Sequence, residues 1–148
     1  MQGRCTVRSA VLRGVEAVPV DVEVAVSKGL PGFYIVGMAD AAVQESRERV
    51  RAALRASGFS MPAERVVVNL APSALKKRGS GFNLAVAVAL LAATRQMNPD
   101  LTQRALFVGE LSLEGRVRPV DGLLAYSLCA RKKELRLCAP TRPSASYP

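Results

Sequence analysis

Residues 15–26, VEAVPVDVEVAV, alternate in polarity: Val18, Val20, Val22, Val24 and Val26 share one face, and Asp21 and Glu23 lie on the other. A period of two predicts a strand. Pro19 has no N–H to donate, so it marks an edge or a bulge in that strand. Residues 5–12 alternate more weakly and read as a strand before it. Phe33–Val36 is a short third strand after the turn Gly29–Gly32. The pattern then changes to a helical period. Asp40 is positioned to cap a helix running to about Ser57, with Val43, Val50 and Leu54 as its buried stripe, widened by Ala53. Gly58 is the expected stop. RVVVNL at 65–70 reads as a buried central strand. Residues 83–94 are apolar around the whole circumference, which predicts a helix covered on every side. Ala105–Glu110 reads as a strand followed by a tight turn at Glu114-Gly115. Asp121 is the expected cap of a helix over Leu123–Arg131, and Leu135–Cys138 closes the chain as a strand. This order predicts an α+β sandwich with a mixed sheet.

Composition narrows the chemistry. At 148 residues, 49% apolar, the chain is long enough for one packed domain. It contains no histidine, which removes His-based triads, His metal ligands and His proton shuttles. Cys5, Cys129 and Cys138 form no close pair and match neither a zinc motif nor a disulfide framework. No apolar signal segment follows Met1, and no apolar run is long enough to span a bilayer, so a cytoplasmic location without a membrane partner is expected. There is no GxGxxG after a first strand and no Walker motif. The polar, Pro-rich end TRPSASYP, residues 141–148, reads as the start of a linker after a domain at 1–140.

The 21 Lys+Arg outnumber the 12 Asp+Glu, giving a net charge of +9. Such an excess favours anionic partners. Lys76, Lys77 and Arg78 stand beside Gly79 and Gly81, whose backbone can approach a phosphate at the start of a helix. Arg116 and Arg118 sit on the hairpin, and Arg131, Lys132 and Lys133 end the last helix. Each cluster also fits an ordinary solvated surface. Lys76, Lys77, Arg78, Arg116 and Arg118 are the candidate nucleic-acid contacts. Arg47, Arg51 and Arg55 form a further ridge, with Arg47 nearest the apolar stripe and best placed for a carboxylate partner. Glu45 and Arg49 have the spacing of a helical ion pair.

Three runs carry a resemblance: DVEVAVSKGLPGFYIVGMADAAVQESRERVRAAL at 21–54, SGFSMPAERVVVNLAPSALKKRGSGFNLAVAVALLAA at 57–93 and FVGELSLEGRVRPVDGLL at 107–124. They resemble the N-terminal domain of the magnesium-chelatase-like AAA+ ATPases, the ComM/YifB group. The resemblance implies a ribosomal protein S5 domain 2-like fold, similar to the Lon protease domain, as a two-layer sandwich. It implies an AAA+ module beyond this chain, ATP and Mg²⁺ in the full-length protein, and a homo-hexamer acting on DNA in branch migration during natural transformation. This chain would then be a non-catalytic accessory domain, contacting DNA or serving as a scaffold for the ring. The family commonly has Asp where Asn83 stands and Pro where Ala85 stands. The peptidase relatives use a serine and a lysine. Ser80 occupies the nucleophile position, but Leu124 stands where the lysine is expected, and Lys76 and Lys77 are expected in a polar loop at ordinary pKa.

Overall fold

The valine alternation becomes the longest strand of a six-stranded sheet. In the computed structural model, which describes residues 3–140, β1 (Gly3–Arg13) and β2 (Glu16–Ser27) form a long antiparallel hairpin. β3 (Gly32–Val36) and β4 (Arg65–Ala71) pair parallel, and β4 pairs antiparallel with β2. On the other side of β1, the short strand β5 (Ala105–Phe107) pairs parallel, and β8 (Arg136–Cys138) pairs parallel with β5. The order is β3-β4-β2-β1-β5-β8, a mixed sheet as expected. Val20, Val22, Val24 and Val26 are buried on one face of β2. Pro19 pairs with Ala10 on β1, while the pairing with β4 ends at Asp21. β2 is therefore interior, and Pro19 sits where its β4 flank has become an edge.

The helix expected from Asp40 to Ser57 is two pieces, α1 (Ala41–Gln44) and α2 (Ser46–Ala56), joined at Glu45. Asp40 does cap α1, its carboxylate accepting the Val43 N–H at 2.8 Å. The break has a local cause. Arg47 Nε donates to the Gln44 carbonyl at 3.1 Å, and the Glu48 N–H turns to Glu45 instead. A side chain has entered the backbone ladder. Gly58 ends α2 as expected. At φ 83° it lets Phe59 N–H reach Leu54 O at 2.8 Å while its own N–H reaches Arg55 O at 3.1 Å.

α3 (Asn83–Ala93) is buried at ten of its eleven positions, Leu84 being the partly exposed one. With α2 it covers one face of the sheet, against Val7, Val22, Val68 and Phe107. The expected two-layer sandwich is corrected here. α4 (Leu123–Lys132) packs on the opposite face, with Tyr126, Cys129 and Ala130 against Ala10, Leu106 and Val108. Along β1 and β5 successive side chains therefore enter different cores. The strand expected over Ala105–Glu110 is also divided. Gly109 bonds Gly81 and Leu84 at the start of α3, so the chain leaves the sheet. β6 (Glu110–Leu111) then pairs with β7 (Val117–Arg118) as a separate hairpin. The cap of α4 is Gly122, at φ 96°, with no side-chain cap bond; Asp121 does not fill that role. No helix among the described residues is long and apolar enough to cross a membrane. The expected linker at 141–148 lies outside the described residues.

Candidate nucleic-acid interface

Three neighbouring basic residues separate by side-chain direction. Lys77 lies in an extended bridge beside Ala39: its N–H donates to Met38 O and its carbonyl accepts from Asp40 N, both at 3.0 Å. Side chains in extended backbone alternate. Lys76 and Arg78 therefore face solvent, and Lys77 is fully buried. Its Nζ donates to Gly37 O at 2.6 Å and to Pro72 O. Two sequence expectations are corrected. Lys77 is not a surface contact for phosphate, and burial pushes its pKa below the ordinary lysine value.

Lys76 and Arg78 line a depression with Arg13, Leu12 and Pro72. Arg78 also lines the adjoining depression with Ser80, Gly81, Glu110 and Tyr126. Glu110 Oε1 meets Arg49 Nη1 at 3.2 Å, and Arg49 and Arg118 line a third depression beyond it. Arg118 pairs across the hairpin with Glu110, while Arg116 stands exposed near Glu114, at 3.8 Å. Four of the five candidate residues are thus solvent-facing, and three of them line these depressions. Arg13 and Arg49, neither of them among the candidate nucleic-acid contacts, join the surface. Arg13 ends β1, which carries it next to a loop some sixty residues away in sequence. Arg49 takes Glu110 as partner in place of Glu45. Among the described residues Arg47 finds no carboxylate: besides Gln44 O, it reaches Phe33 O at 3.5 Å. Arg51 pairs with Glu48 at 2.9 Å and lies over the Phe33 ring.

Ser80 donates its hydroxyl proton to Glu110 Oε2. That bond, then the charges of Arg49 and Arg118, hold the Glu110 carboxyl below its ordinary value against an opposing effect of burial. Glu110 is an anion anchoring the serine and a weak base. No lysine lines the depression that holds Ser80. Lys77 spends its donors on carbonyls, and Leu124 is 73% exposed on α4. Among the described residues, no lysine amine stands beside Ser80 as serine–lysine chemistry requires. The ion pair has a testable sign. A depressed carboxyl stabilises the fold above the ordinary glutamate value and loses that contribution as pH falls through its folded value. Glu110→Gln should therefore lower the urea midpoint at neutral pH, with the difference closing under acid conditions.

Asn83, fully buried, ties three elements. Its Nδ2 donates to Ser46 Oγ at 2.7 Å, and its Oδ1 accepts the Leu111 N–H at 3.0 Å. It makes no cap bond to its own helix.

Residues 22–141 match the family model for subunit ChlI of Mg-chelatase. The chain belongs to this family. It is 44% identical over 119 residues to YifB of Escherichia coli, covering 80% of this chain and 24% of that protein. It is 42% identical over 124 residues to competence protein ComM of Haemophilus influenzae, covering 84% and 24%. These matches bear out the resemblance to the magnesium-chelatase-like ComM/YifB group. A Lon protease of Mycoplasma mobile is 27% identical over 112 residues, 72% of this chain and 13% of that enzyme. The chain spans about a quarter of the length of the relatives YifB and ComM.

Proposed function

We propose that this chain is a non-catalytic accessory domain of a DNA-acting AAA+ ATPase, contacting the DNA backbone through Lys76, Arg78, Arg116 and Arg118. The observation carrying this reading is the outward placement of Lys76 and Arg78 beside Arg13 along a depression that adjoins the one shared by Arg78 and Glu110. Contacts of this kind are electrostatic and indifferent to sequence. The similarity to ComM, a competence protein, supports branch migration in natural transformation as the setting. In that setting ATP and Mg²⁺ are handled by an AAA+ module outside this chain. The whole protein works as a cytoplasmic homo-hexamer, and the fold is of the S5 domain 2-like type, a reading supported by the Lon similarity.

The test is fluorescence anisotropy of the chain with single-stranded, duplex and branched DNA across a salt series. Four phosphate contacts give a slope of log K against log salt of about −3.6 on duplex DNA. Lys76→Ala with Arg78→Ala should bring it to about −1.8. Undetectable or salt-insensitive binding, equal in both proteins, would reject direct DNA contact. The scaffold reading would then stand. It is favoured by Leu124 and Leu128, which are one helical turn apart on α4 and 73% and 56% exposed.

A further inference from the structure

A lysine with no exposed surface needs a reason. Burying an ammonium is costly unless its donors are used. Lys77 donates to two carbonyls from different segments, Gly37 and Pro72. The first belongs to a turn whose backbone demands glycine. Gly37 and Met38 have φ values of 110° and 59°, and a Cβ on Gly37 would collide with the Leu70 carbonyl oxygen. The same two segments are joined by main-chain bonds at Met38 O and Asp40 N, and Gly79 N–H approaches Asp40 Oδ2 at 3.4 Å. Residues 72–79 are thus fastened to the 37–40 turn from several directions, with the ammonium at the centre.

We infer that Lys77 is a positioning residue: its buried ammonium fastens the 72–79 loop to the 37–40 turn and so holds Lys76 and Arg78 outward for a polyanion. The fastening stands on the geometry alone; the polyanion rests on the DNA reading above. Lys77 touches no phosphate and acts through its two neighbours. A methionine in its place keeps nearly the same length and volume and removes the donors.

The test compares the parent chain with Lys77→Met in two measurements. In limited trypsinolysis, cleavage after Lys76 and Arg78 should become about tenfold faster while amide protection in α3 is unchanged, as expected for local opening. In the salt series, duplex affinity should fall about tenfold, the cost of ordering roughly one residue on binding, with the slope unchanged. Unchanged cleavage overturns the fastening. A slope reduced by about 0.9 overturns the positioning role, since Lys77 would then itself be a phosphate contact. If the parent chain binds no DNA, the DNA reading fails and cleavage alone decides the fastening. Should Lys77→Met not fold, amine acetylation of the folded parent serves: Lys77 should be modified at least about tenfold more slowly than Lys76, and equal rates overturn the fastening.

Discussion

Ala89→Asp is expected to leave the chain without a cooperative unfolding transition. Ala89 is fully buried in α3, a helix enclosed by the sheet, α2 and the β6–β7 hairpin. An ionised carboxylate there would lose its hydration among alanine, valine and leucine side chains. Protonating it instead at pH 7 costs about 4 kcal/mol, some three pKa units at about 1.4 kcal/mol each. The neutral acid still adds polar groups and volume to a packed core. Together these approach the roughly 5–15 kcal/mol that stabilises a domain of this size. Circular dichroism should show no sigmoidal melt. The same substitution at Leu124, 73% exposed, should shift stability by no more than about 0.5 kcal/mol. A cooperative melt for Ala89→Asp near that of the parent would contradict the enclosed position of α3.

Asn83→Leu should cost about 2–6 kcal/mol, because two buried groups lose their partner at once and each unsatisfied group costs roughly 1–3 kcal/mol. These are the Leu111 N–H on the hairpin and the Ser46 hydroxyl on α2. Asn83→Asp should be milder. The Ser46 hydroxyl can rotate and donate, so a carboxylate would accept from both neighbours. The position thus requires an acceptor for the Leu111 N–H and a partner for Ser46, which asparagine and aspartate both provide. Urea denaturation of the three proteins checks the order parent, Asp, Leu. A leucine variant as stable as the parent would show that these bonds contribute nothing net.

Sequence pattern reveals those features whose cause is local. The valines of β2 declare their strand because a half-buried sheet imposes a period of two. The apolar circumference of residues 83–94 foretells enclosure, and Gly58 ends its helix through its own backbone freedom. What pattern misses depends on distant segments. Lys77 reads as one of three equivalent cations until the 37–40 turn sets its direction. Arg47 seeks no carboxylate because the Gln44 and Phe33 carbonyls lie within reach. The second helical layer is hidden because β5 is only three residues long, too short to display that its two faces enter different cores. Within the candidate interface, the residue types were legible in the sequence. Which of them face outward was not.

The outer rim of the sheet offers a last lesson. β3 is an end strand, and its carbonyls at Phe33 and Ile35 are already engaged by Arg47 Nη1 and Gln44 Nε2, the latter at 2.9 Å. An incoming peptide seeking to lengthen the sheet at that end would have to evict both side chains before forming its first ladder bonds. Self-association through that rim is thereby discouraged. Copies that gathered into a larger particle would be steered away from strand addition at this end, leaving contacts elsewhere on the surface to set their arrangement.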